Sequence, residues 1–362
     1  MEKKKIAVIF GGYSPEYDVS LKSAYSIIRA INRAKYEVIL VGITRQGQWH
    51  IYTGELDDIP VDKWHTHADC LNNVVVAPSR GQGLLELEDG RVTPVYVDAV
   101  FPILHGKYGE DGTVQGMFEL SGIPVIGAGS AASALCMDKD RAHQLVSLAK
   151  ISVPKSVCFE RAPTVDELFE SVGKLELPMF VKPVKAGSSF GITKIESLAD
   201  LAEAVKFALT FDDAFIIEEN VQGFEVGCAV VGNDDLITGR IDEIELSGGF
   251  FNYEEKYTLK TSKIHMPARI DGDTERRLRE AAMTIYRTLG CRGYARVDMF
   301  LTPEREIVFN EVNTIPGFTD HSRFPNMMKG IGVQYPELVD MLIENTLGIT
   351  DPGSVGRFSK FE

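Results

Sequence analysis

The chain begins with a short run of apolar residues that ends in paired glycines, and this run limits the folds open to the first part of the sequence. In KKKIAVIFGG the apolar residues are consecutive rather than alternating, which is typical of a buried strand in a parallel sheet. The next segment, DVSLKSAYSIIRAINRA, has apolar residues near helical spacing at Val19, Ala24, Ile27 and Ile31. Two further apolar strands follow, YEVILVGIT and VYVDAVFPIL. Strands separated by helical patterns predict a parallel α/β layer over about the first 125 residues.

From about Ser130 onward the pattern changes. A helix, MDKDRAHQLVSLA, is followed by short strands without regular helices between them: MFVKPVKAGSSFGITKI, AFIIEENV, EVGCAVVG and LITGRIDEIEL. This pattern favours antiparallel α+β structure. A second helix, TERRLREAAMTIYRTLG, has an apolar side formed by Leu278, Ala281, Ile285 and Leu289. It precedes two strands, ARVDMFL and EIVFNEVNT, whose short TPERE connection predicts an antiparallel hairpin.

The composition excludes several classes of function. At 362 residues the chain is long enough for two or three domains. A net charge of −14 argues against a nucleic-acid partner, because phosphate backbones need a basic face, but it leaves nucleotides open. No stretch approaches the roughly 20 apolar residues of a membrane span, and the N-terminal apolar run is shorter than that of a signal peptide. Five cysteines without paired or metal-like spacing favour reduced thiols, so we expect a soluble protein of the cytoplasm.

The predicted hairpin carries a pattern that indicates a metal site. Glu311 and Asn313 are two residues apart and point to the same face of their strand, while Asp298 lies in the neighbouring strand. Three such oxygen donors suit Mg²⁺ when phosphates complete its coordination shell. Arg296 shares a face with Asp298, where a cation would meet phosphate oxygens. The alternative is a polar exposed face, but the apolar flanks of both strands favour the metal site.

Three loops at strand ends carry further candidate residues. In VKPVKAGSSFG, Lys182 ends a strand and precedes a Gly/Ser-rich turn whose backbone N–H groups could hold phosphate. Glu218 and Glu225 flank the turn of IIEENVQGFEVG, where a carboxylate could accept from ribose hydroxyls or an adenine amine. His105 and Glu110 follow an apolar strand, a position where loop residues are often functional. Taken singly, the first two segments also fit an ordinary hairpin loop and a solvated acidic turn.

Taken in order, these motifs resemble the ATP-grasp superfamily and, within it, the D-alanine–D-alanine ligase family. The resemblance spans nearly the whole chain and rests on eight ordered blocks: GGYSPEYDVSLKSA, LHGKYGEDGTVQG, SALCMDKDRA, VKPVKAGSSFGITK, EENVQGFEVGCAV, EEKYTLK, ARVDMF and NEVNTIPGFTDHS. Within the family the chain resembles the D-alanine–D-serine ligases of vancomycin resistance, through KIAVIFGG, ALCMDKDRAH, GFEVGCAV, EKYTLK and NTIPGFT…HSR. The resemblance implies an ATP-grasp fold, with an N-terminal α/β domain over 1–128 and two α+β subdomains, over 129–228 and 229–362, that clasp the nucleotide.

The resemblance also implies a reaction and the residues that perform it. In the family, ATP phosphorylates the carboxylate of a first D-alanine, and the amine of the second substrate attacks the acyl phosphate. The implied nucleotide contacts are Lys139, Lys182, Ser189, Glu218, Glu225 and Phe250. Two Mg²⁺ ions, for which Mn²⁺ can stand in, are implied on Asp298, Glu311 and Asn313. The implied catalytic groups are the oxyanion donors Arg296 and the Gly317 N–H, and a hydrogen-bonded trio of Glu110, Ser188 and Tyr257.

Substrate contacts follow from the same resemblance. His105 is implied in substrate binding, and Lys256 and Ser322 are implied to bind the carboxylate of the second substrate. A family position that commonly holds glutamate, and that meets the ammonium of the first D-alanine, is assigned to Asp18. This assignment keeps the negative charge but shortens the reach by one methylene.

The identity of the second substrate depends on a few positions. D-alanine, D-serine and D-lactate are all used within the family, and lactate-using relatives carry histidine where this chain has Tyr257. Arg323 stands where enzymes that make D-alanyl-D-alanine have an apolar residue, and it can donate towards a hydroxymethyl group, directly or by ordering a neighbouring acid. With Asp242 and Phe251 in the remaining pocket positions, the resemblance favours D-serine. The alternative is that Arg323 is a surface cation, and arginine also occurs there in lactate-using relatives.

Three other functions stay open at this point. The chain could be a D-alanine–D-alanine ligase of ordinary cell-wall synthesis, a different carboxylate–amine ligase, or a nucleotide-binding relative without catalysis. The loops at His105 and Lys256 count against a different ligase. The joint presence of the cationic and metal-binding residues counts against a non-catalytic protein. The expected product is a modified peptidoglycan precursor dipeptide, and the resemblance suggests a homodimer.

Overall fold

The computed structural model describes residues 2–246 and 262–349, and three β-sheets organise that part of the chain. The first sheet has seven strands in the order β6-β5-β4-β3-β2-β1-β7. Their bounds are β1 Lys4–Gly11, β2 Tyr36–Ile43, β3 Trp49–Tyr52, β4 Leu71–Val76, β5 Leu84–Glu88, β6 Arg91–Val95 and β7 Ala99–Pro102. Helices α1 (Tyr17–Ala30) and α2 (Thr113–Ser121) pack on it through buried apolar residues.

The first sheet is mixed rather than fully parallel. β1 runs parallel to β2 and to β7, as the β-α-β pattern predicts, but β3 to β6 continue the sheet in antiparallel register. The segment VYVDAVFPIL is not one strand, because Val95 ends β6 and a new strand begins at Ala99. The expectation of a wholly parallel layer is therefore wrong for four of the seven strands.

The second sheet has four antiparallel strands in the order β10-β9-β11-β8. They are β8 Ser156–Phe159, β9 Met179–Pro183, β10 Thr193–Ile195 and β11 Phe215–Glu219. Two helices, α5 (Val165–Val172) and α6 (Leu201–Ala208), cover one face through a shared apolar core. The sequence analysis missed both helices, although Thr164 and Glu167 form a capping box that marks the start of α5.

The third sheet contains the predicted hairpin. Its order is β15-β14-β12-β16-β17, with β13 paired to β12. The strands are β12 Phe224–Val231, β13 Ile237–Thr238, β14 Asp242–Leu246, β15 Ser262–His265, β16 Tyr294–Leu301 and β17 Ile307–Asn313. Helices α3 (Ser130–Met137), α4 (Lys139–Leu148) and α7 (Gly272–Thr288) pack on this sheet. A subdomain boundary at 228–229 falls inside β12, and the strand belongs as a whole to this sheet.

The last two helices return to the first sheet. Helices α8 (Arg323–Lys329) and α9 (Tyr335–Leu347) share a buried core with β1, β7 and α1. At this junction Phe318 is fully buried, and its ring packs against Phe101, Tyr294, Phe324 and Tyr335. The Tyr335 hydroxyl donates to the Phe318 carbonyl at 2.5 Å. The loop between β17 and α8 is thereby fixed between the first and third sheets.

Within the described residues, no helix has both the length and the apolarity to cross a bilayer.

Replacing Phe318 with alanine should lower the free energy of unfolding by about 3–5 kcal/mol, because the aromatic cluster would lose its central ring and gain a cavity. Chemical denaturation measures this change. Phe169→Ala on α5 is the matched control, since Phe169 is 44% exposed and its loss should cost less than about 1 kcal/mol. Equal losses for the two variants would show that the cluster does not fix the loop.

Candidate active site

A cleft of about 380 Å³ lies between the second and third sheets. Both sheets and helix α4 contribute to its walls. Six of the residues expected to bind nucleotide or metal line it: Lys139, Lys182, Ser189, Glu218, Glu225 and Glu311. The fold thus gathers into one cavity side chains that are far apart in the sequence.

The second sheet supplies a buried ion pair to this cleft. Lys182 on β9 is paired with Ile216 on β11, and Glu218 lies two residues further along the same face. Lys182 Nζ donates to Glu218 Oε2 at 2.5 Å, and both side chains are at least nine-tenths buried. Burial alone would raise the pKa of Glu218, but Lys182, His143 and Lys139 together outweigh it, so the pKa is lowered and the carboxylate stays ionised.

The Gly/Ser-rich turn after β9 is held in an uncommon conformation. Ser188 and Ser189 both have positive φ, at 49° and 60°, which non-glycine residues adopt rarely and mostly where the surroundings enforce it. Lys139, at the start of α4, donates from Nζ to the Ala186 carbonyl at 2.8 Å in this turn. The turn therefore carries the Ser189 side chain into the cleft and places a second ammonium group beside Lys182.

The hairpin of the third sheet brings the expected metal residues together. Asp298 lies directly opposite Glu311, and Arg296 lies opposite Asn313. Asp298 is 1% exposed and accepts two short hydrogen bonds from Arg296, from Nε at 2.8 Å and Nη2 at 2.7 Å. Asn313 Nδ2 donates to Asp298 Oδ2 at 2.9 Å. The Asp298 charge raises the pKa of Arg296 despite the opposing effect of burial.

This donor set fits a hard cation. Two carboxylates and one amide lie together on one face of the hairpin, and because Asn313 donates through its nitrogen, its carbonyl oxygen remains an available ligand. The described residues include no group of three or more His, Cys, Asp or Glu arranged to hold a metal ion. A cation at the hairpin would therefore need further oxygen atoms from a phosphate or from water, which is how Mg²⁺ usually binds.

Arg323 lies at the start of α8 and is buried, not a surface cation. Its Nε and Nη2 donate to the two oxygens of Asp242, at 2.7 and 2.8 Å, in a bidentate pair. Its Nη1 donates to Glu225 at 3.2 Å, and Nη2 lies 3.4 Å from Asp298. Together these acids raise the pKa of Arg323 well above its ordinary value although burial opposes them. One guanidinium group thus connects the residues expected to bind ribose, metal and the second substrate.

At the other end of the site the structure buries Glu16 and leaves Asp18 exposed. Glu16 is 6% exposed and accepts a short hydrogen bond from the Ser188 hydroxyl. Gly106 has φ +74°, and a Cβ there would overlap the Glu16 carboxylate, so glycine is required for this close approach. Asp18, two residues into α1, points to a different side of the helix. Its side chain is 61% exposed and pairs with Arg45 at 2.6 Å, and the structure does not bring it to the other site residues.

A buried hydrogen-bond network fixes the loop after β17. His105 Nδ1 donates to the Ile315 carbonyl at 2.9 Å, which leaves Nε2 to accept from the Ser23 hydroxyl at 3.2 Å. The Ser23 oxygen in turn accepts from the Phe318 N–H at 3.4 Å. Burial lowers the pKa of His105 to about 4, so the ring is neutral. The Gly317 N–H, the expected oxyanion donor, lies between these two anchored peptides.

Glu110 holds the same loop from its other side. Its two carboxyl oxygens accept from the Gly106 N–H at 2.7 Å and the Ile315 N–H at 3.3 Å. Burial and repulsion from Glu16 raise the pKa of Glu110 to about 8. The structure therefore shows Glu110 bonded to loop backbone, while the hydroxyl of Ser188 donates to Glu16.

The remaining predicted residues divide into two groups. Ser322 lies within this region, where its hydroxyl bonds the Thr319 N–H at 3.0 Å beside Gly317. Four predicted residues lie outside the described part of the chain: Phe250, Phe251, Lys256 and Tyr257. Their implied roles stay predictions.

The chain matches the D-ala D-ala ligase N-terminus family over residues 5–128 and the D-ala D-ala ligase C-terminus family over residues 145–344. The chain belongs to the D-alanine–D-alanine ligase family. It is therefore a ligase, and this family is ATP-dependent.

Individual relatives cover nearly the whole chain. The structure of the VanG D-Ala:D-Ser ligase from Enterococcus faecalis superimposes with a TM-score of 0.89 and 57% identity, covering 95% of this chain and 100% of that one. The vancomycin C-type resistance protein VanC2 of Enterococcus casseliflavus is 43% identical over 94% of this chain and 97% of its own length. The D-alanine–D-alanine ligase A of Escherichia coli K12 is 40% identical, over 96% of both chains. These likenesses confirm the ATP-grasp fold.

Sequence reasoning missed several residues that the structure brings into the site. Glu16 and Asp18 both lie in GGYSPEYDVS, and the helical register of α1 was the signal that could have separated them, because a helix begins at Tyr17. Ser23 looked like an ordinary helix residue. His143 had no usable spacing, because its partners lie on strands distant in the sequence.

Glu16→Gln should lower kcat/KM for the first D-alanine by about tenfold to a hundredfold, since a charged hydrogen-bond acceptor would be lost from a buried position. Asp18→Asn, two residues away, is the control and should change it less than about threefold, because Asp18 pairs only with exposed Arg45 within the described structure. Steady-state assays at saturating ATP measure both. If Asp18→Asn has a larger effect than Glu16→Gln, Asp18 is the residue that meets the ammonium group of the first D-alanine.

Proposed function

We propose that this ligase joins D-alanine to D-serine through an acyl-phosphate intermediate, using ATP, and so makes a modified peptidoglycan precursor dipeptide. The observation that carries the choice of D-serine is the buried bidentate pair of Asp242 and Arg323. The likeness to a D-Ala:D-Ser ligase at 57% identity supports it. The product belongs to cell-wall synthesis, and the free cysteines fit a cytoplasmic protein, for which we expect a homodimer.

The pair leaves hydrogen-bonding capacity that suits a hydroxyl group. Within the described residues, Asp242 accepts three hydrogen bonds, two from Arg323 and one from the Gly227 N–H at 3.0 Å. A carboxylate has about four acceptor positions, so one remains on Oδ2. Arg323 Nη1 has two hydrogens and donates one to Glu225, so one N–H also remains. A serine hydroxyl is both a donor and an acceptor and could use one of these positions, whereas the methyl group of D-alanine could use neither.

The first half of the reaction takes place at the nucleotide cleft. Lys139 and Lys182 would hold the phosphates of ATP, with Ser189 in the adjoining turn, and Glu218 and Glu225 the adenine and ribose. Glu16 and Ser188 would receive the ammonium group of D-alanine, orienting its carboxylate towards the γ-phosphate. An oxygen of that carboxylate attacks phosphorus, ADP leaves, and D-alanyl phosphate forms. Mg²⁺ held by Asp298, Glu311 and Asn313 would neutralise charge on the phosphates during this transfer.

The second half joins the amino acids. The amine of D-serine, after losing a proton to solvent, attacks the carbonyl carbon of D-alanyl phosphate and gives a tetrahedral oxyanion, and its nitrogen then loses a second proton to solvent. Arg296 and the Gly317 N–H would stabilise that oxyanion, and the network from His105 and Ser23 holds the Gly317 loop in place for this purpose. The C–O bond to phosphate then breaks and the dipeptide is released. His105 and Glu110 act in this account as residues that position the loop.

A competition assay tests the choice of second substrate. The unmodified enzyme, ATP and D-alanine are incubated with and without equimolar D-serine, and both dipeptides are quantified. We expect D-alanyl-D-serine to exceed D-alanyl-D-alanine by at least about tenfold, because a site that bonds a hydroxyl discriminates against the analogue lacking it. An excess of D-alanyl-D-alanine would favour the ordinary cell-wall ligase, and ATP turnover without either dipeptide would contradict both.

The assay uses the unmodified enzyme because an Arg323→Leu variant could not separate a loss of preference for D-serine from a loss of stability. Removing this guanidinium would leave Asp242 and Asp298 buried with less compensating charge, at a cost of about 3–5 kcal/mol. Activity with both amino acids would then fall for reasons unrelated to the hydroxyl. D-lactate serves as a third acceptor in the same assay and is expected to give no product. It shows whether the second-substrate site accepts any small D-acid.

A further inference from the structure

Helix α4 carries a buried histidine to which the account above gives no role. His143 lies one turn after Lys139, so both side chains point to the same side of the helix, and His143 is 3% exposed. Its ring stands between the second and third sheets. Glu218 of β11 lies on one side of it and Asn310 of β17 on the other, and both of those residues line the nucleotide cleft.

The contact with Asn310 occurs at an irregularity in β17. The strand pairs Glu311 with Asp298 and Phe309 with Met299, so Asn310 is an extra residue, a β-bulge. Without it, Phe309 and Glu311 would share one face of the strand, since side chains alternate. With it, Phe309 is fully buried in the core while Glu311 lines the cleft. The bulge therefore determines where the Glu311 carboxylate points.

His143 bonds the bulge directly. Its Nε2 lies 2.9 Å from the Asn310 carbonyl oxygen, so this nitrogen carries the hydrogen and donates it. The ring also packs edge-on against Phe309, with centroids 5.5 Å apart and planes at 78°. Both contacts lie just before Glu311, one to the carbonyl of the peptide that leads into it and one to the ring of Phe309.

The opposite edge of the ring faces Glu218. Nδ1 lies 3.8 Å from Glu218 Oε1, and among the described residues neither buried atom has a hydrogen-bond partner. Buried polar atoms without hydrogen-bond partners are costly, and each needs an explanation. A positioning role supplies one, because the histidine is kept there for its Nε2 bond while Lys182 holds Glu218 in place through the other oxygen.

We propose that His143 is a positioning residue that sets the Asn310 bulge, and through it the direction of Glu311, relative to the Lys182–Glu218 pair on the opposite wall of the cleft. The inference rests on the proposed nucleotide and metal site, within which His143 acts only through its neighbours. An aliphatic side chain would fill the same space but leave the Asn310 carbonyl without its donor. Cation binding in the nucleotide complex would then weaken more than nucleotide binding alone.

Three variants test this. His143→Leu removes the donor, and His143→Gln retains an N–H that can reach the carbonyl. Val146→Ala is the matched control, since Val146 is fully buried on the same helix but lies in the core. Mn²⁺ binding to the ADP complex is followed by electron paramagnetic resonance of free Mn²⁺, and ADP binding in EDTA by calorimetry. Thermal unfolding of each variant reports on stability.

His143→Leu should weaken Mn²⁺ binding about fivefold to tenfold, the equivalent of one net hydrogen bond, with ADP binding in EDTA changed less than about twofold. His143→Gln should stay within about threefold of the unmodified enzyme, and Val146→Ala should lower stability without weakening Mn²⁺ binding. If His143→Leu does not fold, His143→Ala takes its place, because it leaves space instead of strain.

Three results would overturn the inference: unchanged Mn²⁺ binding in His143→Leu, equal weakening in Val146→Ala, or no recovery in His143→Gln. The proposed function fails in a different way, which the unmodified enzyme alone reveals. If that enzyme does not bind ADP, with or without Mn²⁺, the proposal that the cleft binds nucleotide is wrong.

Discussion

The site depends on the balance between buried carboxylates and two guanidinium groups. Arg296 and Arg323 together contact Asp298, Asp242 and Glu225 in a region where ionised groups can persist only if they are paired. Because Arg323 contacts all three acids, the residues proposed for ribose, metal and the second amino acid form one electrostatic unit. A cation or a nucleotide that binds to Asp298 or Glu225 would change the negative charge that Arg323 neutralises.

The second requirement is a rigid loop between the two reacting centres. Ile315 is held through its carbonyl by His105 and through its N–H by Glu110. Phe318 is held through its N–H by Ser23, and its ring is packed in the aromatic cluster. Gly317 lies between them and has no side chain to anchor it. The orientation of its N–H group is therefore set by these two neighbours. Oxyanion stabilisation needs this kind of preorganisation, because the donor must be in place before charge develops.

Sequence patterns predicted elements and local pairs well. The strand β1, the helix α7 and the antiparallel hairpin that carries Asp298 and Glu311 follow from periodicity and a short connection, which are local properties. Patterns could not predict that β3 to β6 extend the first sheet in antiparallel register, since pairing depends on distant strands. They also could not predict that Glu16 is buried while Asp18 is exposed beside Arg45, because which side chain faces inward depends on where the helix begins. The Asn310 bulge leaves no mark in the sequence, although it sets the direction of Glu311.

In the proposed reaction, a phosphoryl group passes from ATP to the carboxylate of D-alanine before the peptide bond forms. The most direct measurement uses D-alanine labelled with ¹⁸O in its carboxylate, with ATP, Mg²⁺ and D-serine, and mass spectrometry of the released phosphate. We expect one labelled oxygen in the inorganic phosphate for every dipeptide formed, because the C–O bond of the acyl phosphate breaks when the amine attacks. Dipeptide formation with unlabelled phosphate would contradict it.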